Sequence, residues 1–252
     1  MILNLIYRCC DTVNACSMRK PRIFGLSKQQ IVFKCLDSLK MNIDNISNDI
    51  DLKIFVVADK CSDKLKEKLN NVFKYAEYEF LNEKTGGNAN SFCKCVEIAN
   101  SLPDNQIVYF LEDDYVFLRN DILNKLVFSI VRLSNLDGQY CAIMLDDYPD
   151  RWMNNCRNNV HIKCIETGHF MQIHHTTCTF SLWTNSVKDN IDSLLGFKNW
   201  PYVNEDMCIN RLWKSVPLFS PIPAWTIHFQ EDSTIPCYIN KENLKRYMNV
   251  II

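Results

Sequence analysis

The sequence predicts an α/β fold in which a mostly parallel sheet carries helices on both faces. Three observations predict it. Apolar, β-branched runs suited to strands alternate with stretches of helical periodicity through the first half of the chain, and such alternation builds a parallel sheet covered on both sides. The runs at 52–58 and 107–111 are nearly continuous in apolar residues, as strands buried on both faces must be. The second run leads directly into Glu112-Asp113-Asp114, so a buried strand delivers carboxylates to its own C-terminal end, where ligands bind in open α/β sheets.

The elements follow in order. Met1 to Tyr7 reads as the first strand. In 27–40 the residues Ile31, Val32, Cys35, Leu36 and Leu39 fall at helical spacing behind Ser27, a candidate N-cap. The second strand is 52–58, and Leu65, Leu69, Val72 and Phe73 mark the next helix. A short strand at 78–81, a helix at 88–100, the strand ending at Leu111 and a helix at 121–133 continue the rhythm. Beyond Gly138 it changes. A strand at 141–145 precedes a polar, Asn-rich stretch at 150–159, then strands are expected at 160–165 and 171–183 and short helices at 186–195 and 203–214. The first half reads as a nucleotide-binding half, the second as a substrate-specific half on the same sheet, with no internal repeat or low-complexity linker.

At 252 residues the chain can bury a sizeable core, and one large α/β domain is the favoured reading. Lys+Arg of 28 against Asp+Glu of 29 gives a formal net charge of -1, which argues against nucleic acid as a partner. The 13 cysteines are odd in number and form no C-x-x-C pair; several occupy apolar positions of predicted elements, such as Cys35, Cys93 and Cys141. That usage points to a reducing, cytoplasmic compartment. The N-terminal apolar run is too short for a signal-peptide core and lacks a cationic flank. No segment has the apolar length of a transmembrane helix, while peripheral membrane contact stays open.

The acidic strand end carries the chemistry. Three crowded carboxylates repel one another unless they share a cation, and hard oxygen ligands in a sparse set suit Mg²⁺ or Mn²⁺ held jointly with phosphates. Alternation along the extended chain sends Glu112 and Asp114 to one side and Asp113 to the other. Asp59, ending the second strand, could accept a hydrogen bond from a uracil or guanine ring N–H. Thr85-Gly86-Gly87-Asn88 runs into a helix N-terminus, whose free N–H groups suit phosphate, and Gly87 permits close approach. Arg8, after the first strand, meets either a diphosphate or a surface carboxylate. Asn204-Glu205-Asp206 opens a predicted helix, where an acidic pair complements the dipole or serves as a general base. His228 is either a core histidine or a neutral imidazole ligand.

This succession of Asp59, the Gly-Gly-Asn loop, Glu112-Asp113-Asp114, Glu205-Asp206 and His228 resembles the nucleotide-sugar-dependent glycosyltransferases of the Rossmann-like GT-A fold, most closely those of family 2. Ser220-Pro221-Ile222-Pro223 ahead of His228 strengthens the likeness, which spans roughly residues 5–236. The chain departs from it in writing Glu112 for the first acid of an Asp-x-Asp-type motif and Ala58-Asp59 where paired acids are common. The resemblance implies one catalytic domain over 1–252, with 1–118 binding the nucleotide sugar and 119–252 binding the acceptor. It implies Mn²⁺ or Mg²⁺ on Asp114, Glu112 and His228, and a UDP- or GDP-sugar donor contacted by Arg8, Asp59, Gly87, Asn88, Glu112 and Asp113. Asp206, with Glu205 second, would be the base activating the hydroxyl of a glycan, lipid-linked or protein-linked acceptor, with inversion.

Acceptor recognition is less legible. Trp152, Trp183, Trp200, Tyr202 and Trp225 either stack on sugars or fill the core. Residues 174–179 either line an acceptor cleft or form a plain strand. Asp146-Asp147 repeats the strand-then-acids pattern without a partner in sequence. The alternatives are a sugar-phosphate nucleotidyltransferase, whose glycine-rich loop is missing after the first strand, a catalytically silent sugar-binding module, and a metal-dependent hydrolase short of histidine ligands.

Overall fold

The computed structural model describes residues 1–12, 21–81, 85–149, 161–199 and 202–250. Strands β1 (Ile2–Cys9), β2 (Asp51–Asp59), β3 (Glu77–Leu81) and β4 (Ile107–Glu112) lie parallel in the order β3-β2-β1-β4. The same sheet continues from β4 through β9 (Phe180–Trp183), β6 (Ala142–Ile143), β10 (Leu218–Ile222) and β8 (Gly168–Ile173) to β7 (Ile162–Ile165), nine strands in all. In this second part only β6 and β10 run parallel; the other pairings are antiparallel. The α/β class is as the sequence predicts, and the sheet is mixed. The reason lies in the connections. The first half returns each strand through a helix, whereas β7 and β8 are joined by a tight hairpin, which only antiparallel neighbours allow. Gly168 sits there at φ 145, a conformation that side chains disfavour.

Helices cover both faces because strand side chains alternate. Leu3, Leu5 and Tyr7 of β1 pack against α1 (Lys28–Asp44), α2 (Asp63–Val72) and α4 (Ile122–Asp137). Ile6, with Val57, Val108 and Phe110, packs against α3 (Asn88–Ser101), α5 (Thr184–Asp189) and α6 (Ile191–Leu195). Most of these side chains are fully buried, and each contributes about 1.5–3 kcal/mol relative to exposure. A third cluster joins Ile31 and Cys35 of α1 to Leu244 and Met248 of α7 (Lys241–Val250) and to a small two-stranded sheet, β5 (Tyr115–Phe117) with β11 (Thr226–His228).

The expected strand at 171–183 is two strands separated by the irregular segment 174–179, whose His174 and His175 are exposed. The expected helix at 203–214 is two short 3-10 segments, Glu205–Met207 and Ile209–Lys214, broken at Cys208, whose φ of -133 and ψ of -78 are not helical. The Asn-rich stretch 150–159, with Trp152, and also Trp200 lie outside the described residues. Among the described residues no helix is long and apolar enough to cross a membrane.

Candidate functional site

The strand order places a topological switch between β1 and β4. The chain leaves β1 toward β2 and β3, then returns to the other side of β1. Such a crevice, at the C-terminal ends of parallel strands, is the binding position of open α/β sheets. Arg8 and Glu112 face each other across it in register. Lys28 at the start of α1 and Gly87, Asn88 and Ser91 at the start of α3 close it from the two faces. Cys9, Cys10, Thr12, Arg22, Asp59, Asp113, Asp114 and Gln230 complete the cleft lining.

Seven of the expected residues meet there: Arg8, Asp59, Gly87, Asn88, Glu112, Asp113 and Asp114. Asp59 accepts a hydrogen bond from the Gly87 N–H at 2.8 Å through Oδ2. Its Oδ1 is buried without a hydrogen-bond partner, and an unmet carboxylate oxygen is costly unless something else donates to it. Gly87, at φ 101, has nothing within 4 Å of where a Cβ would stand, so its glycine is required by conformation and not by space.

Arg8 is spent on neighbours. It pairs with Glu112 and donates to the Asn88 carbonyl and Asn88 Oδ1, both at 2.7 Å, and to Ser91 Oγ at 3.2 Å. Glu112 also accepts from Thr179 Oγ1 at 3.1 Å. The Glu112 carboxylate is thus held by Arg8 and Thr179, while Asp114 and His228, the other two members of the expected ligand set, pair with each other. Among the described residues no group of three or more His, Cys, Asp or Glu side chains is placed to hold a metal ion.

Asp114 and His228 do come together. β11 pairs with β5 so that His228 stands opposite Tyr115, and the Phe229 N–H donates to the Asp114 carbonyl at 2.6 Å. His228 Nε2 lies 3.5 Å from Asp114 Oδ1, its Nδ1 is 2.9 Å from the Tyr148 hydroxyl, and its ring stacks on Tyr115 with centroids 4.8 Å apart. A carboxylate and an imidazole oriented by a hydroxyl are a donor pair that could hold Mn²⁺ or Mg²⁺ with water or phosphate oxygens completing the set. Asp113 takes a different role: it accepts from the Cys10 N–H at 2.6 Å and from Lys28 Nζ, which also reaches Asp114 Oδ2 at 3.3 Å.

Electrostatics separates the two aspartates. Burial disfavours the charged form of both. At Asp114, Lys28 and His228 outweigh burial and hold the carboxyl well below its usual range. At Asp113, burial wins and, with Asp114 alongside, pushes the carboxyl up despite Lys28. For His228, burial opposes protonation but Asp114, Glu112 and Asp146 raise it above its ordinary value.

Asp206 and Glu205 are outside the cleft lining. Asp206 is exposed and accepts from Asn210 Nδ2 at 2.8 Å, with His175 Nδ1 3.2 Å away; these contacts lower its pKa. The segment 174–179 links them to the cleft. Asn210 accepts from the Thr176 N–H at 2.9 Å, and Thr179 at the other end contacts Glu112. Trp183 and Trp225 are buried in the core, where Trp183 Nε1 donates to Ser134 Oγ at 3.0 Å and Trp225 packs edge-on to Phe170. Tyr202 is exposed. Asp147 accepts from the Tyr238 hydroxyl at 2.9 Å, and Asp146, fully buried, lies within electrostatic reach of His228.

Sequence reasoning missed Lys28, Arg22, Tyr115 and Tyr148. Lys28 left a weak signal: it directly follows an N-cap serine, where the helix dipole disfavours a cation and a nearby carboxylate offsets that cost.

Neither family models nor curated proteins match the sequence. Solved structures do. S. aureus TarS 1-349 in complex with UDP-GlcNAc aligns with a TM-score of 0.52 at 13% identity, over 100% of this chain and 65% of that one. Its complex with UDP gives a TM-score of 0.52 at 13% identity over 100% and 64%. A structure of S. aureus TarS gives 0.51 at 12% over 100% and 39%. The chain has a GT-A-like fold. It spans less than two thirds of the length of these structures. At such identity the likeness carries the fold alone.

Proposed function

We propose that the chain is a glycosyltransferase that moves a sugar from a nucleoside-diphosphate sugar to an acceptor hydroxyl. The observation that carries this reading is the switch-point cleft itself. It joins a buried, half-satisfied Asp59 carboxylate to a wall that holds Arg22 and a glycine-led helix start, in a fold shared with a protein crystallised with UDP-GlcNAc. Asp59 Oδ1 is the acceptor for a ring N–H of uracil or guanine. The start of α3 and Arg22, which has no ion-pair partner among the described residues, meet the diphosphate. Arg8 holds Glu112 and the Asn88 loop in place, so its contribution to the donor is the shape of this wall.

Asp114 and His228 would hold Mn²⁺ or Mg²⁺, and the ion would neutralise charge on the departing diphosphate. Glu112, turned to Arg8, orients the α3 loop or the donor ribose. Asp206 is the base that takes the acceptor proton, with Glu205 second. Its link to the cleft is the 174–179 segment, whose Thr176 is tied to Asn210, the partner of Asp206, and whose Thr179 contacts Glu112. Attack from the side opposite the diphosphate inverts the anomeric centre. On this reading 1–118 bind the donor, 119–252 bind a glycan, lipid-linked or protein-linked acceptor, and the enzyme works in the cytoplasm.

The test is product analysis. With Mn²⁺ and a panel of UDP- and GDP-sugars, slow transfer to water should release the nucleoside diphosphate and free sugar. Release of pyrophosphate from a nucleoside triphosphate and a sugar phosphate would make the protein a nucleotidyltransferase. Binding without any product would make it a sugar-binding module.

A further inference from the structure

Lys28 stands where its own helix disfavours it. It is the first residue of α1, behind the Ser27 and Gln30 capping box, and a cation at a helix N-terminus opposes the dipole. Its ammonium nevertheless sits between Asp113 Oδ1 and Asp114 Oδ2 with little of the side chain exposed, and the residue lines the cleft. The other oxygen of Asp114 lies 3.5 Å from His228 Nε2. A doubly charged ion on Asp114 and His228 would repel an ammonium bonded to the same carboxylate. Lysine, a point charge on a flexible four-carbon stem, can swing away where an arginine fork would hold on.

We propose that Lys28 is a resident cation of the acidic strand end, displaced from Asp114 by a divalent metal and passed to the diphosphate of the incoming donor. The proposal rests on the glycosyl-transfer reading. The acids are thereby neutralised in the empty protein, which limits their mutual repulsion. The displaced charge then becomes available at the moment the diphosphate arrives. Metal and nucleotide binding are coupled through one side chain.

The experiment titrates Mn²⁺ alone, following free Mn²⁺ by electron paramagnetic resonance, then UDP and uridine in saturating Mn²⁺ by calorimetry. Wild type is compared with Lys28→Met and Lys28→Arg, and circular dichroism verifies folding; Lys28→Gln replaces Lys28→Met if the latter does not fold. Removing a resident competitor should tighten Mn²⁺ binding roughly five- to tenfold, within the usual range of site coupling. Lys28→Arg should weaken it below wild type, because the fork grips both carboxylates. Lys28→Met should weaken UDP and leave uridine unchanged. Equal Mn²⁺ affinity in Lys28→Arg and wild type would reduce the effect to through-space charge and overturn the proposal, as would equal losses for UDP and uridine. UDP binding by wild type with Mn²⁺ affinity unchanged in Lys28→Met would sink the displacement and leave the function standing. No nucleotide binding by wild type, with the Mn²⁺ changes as expected, would uphold the displacement and sink the function.

Discussion

Replacing Arg8 with Met tests whether the switch-point cleft is held open by the Arg8–Glu112 pair. Arg8 is only 10% exposed and Glu112 23%, and the guanidinium also serves Asn88 and Ser91. Methionine fills similar space without charge, so Glu112 would keep Thr179 as its remaining side-chain partner. Removing one member of a buried pair costs about 3–5 kcal/mol. The partial exposure of Glu112 places this case near the lower end, at ~3 kcal/mol. For a chain of this size that corresponds to a fall in Tm of roughly 6–12 °C. The double variant Arg8→Met, Glu112→Gln leaves no stranded charge and should recover most of the loss, a coupling that a double-mutant cycle in urea measures. A single variant within about 2 °C of wild type, or a double variant as unstable as the sum of both singles, would refute the reasoning.

Other expectations follow from the same geometry. Asp206→Asn should abolish sugar transfer while donor affinity by calorimetry stays within about twofold; Glu205→Gln should do less, since a lost general base costs roughly 10²–10⁴ in rate. In Asp59→Asn the amide would present N–H groups to the base, so uridine or guanosine nucleotides should bind at least about tenfold more weakly, as expected for a lost bond to a charged acceptor. Cytosine, whose N3 is an acceptor, should lose less. The pH dependence has a definite sign. Burial disfavours protonated His228, but Asp114 outweighs it and raises the folded pKa above 6.5. The stabilisation is thus complete below 6.5 and lost as pH rises through the folded value. The Tm advantage of wild type over His228→Gln should hold below 6.5 and shrink as pH rises above it. Growth of that advantage toward alkaline pH would contradict the pairing. For Asp114, whose folded pKa is depressed, the contribution is present above the ordinary carboxylate range and lost as pH falls toward the folded value.

The parallel half of the fold was legible because each signal there is local. Ser27 closes a capping box with Gln30 just ahead of the helical spacing that begins at Ile31, and β4 and the second half of β2 are apolar runs that the sheet buries. The cleft residues were legible for the same reason: strand ends and a glycine-led helix start lie side by side once the sheet is parallel. The second half was not, since its structure depends on pairing at a distance. Residues 171–183 look like one strand, yet only a neighbour on each side decides where pairing stops, and Thr176 and Thr179 are instead used to tie Asn210 and Glu112 together. The 3-10 segments near Glu205 and Asp206 end at Cys208, where no residue type announces the break. Glu112 reads as a metal ligand from its alternation with Asp114, and only the register of β1 against β4 reveals Arg8 as its partner.

The most direct measurement of the central claim is a thermal-shift panel of UDP, GDP, dTDP and CMP, each with Mn²⁺ and with chelator, on wild type and Asp114→Ala. A ligand that binds only the folded protein raises Tm according to its concentration over Kd. A metal-dependent rise for one nucleoside diphosphate, lost in Asp114→Ala, is the predicted result. A folded wild type that none of the four stabilises would contradict the account.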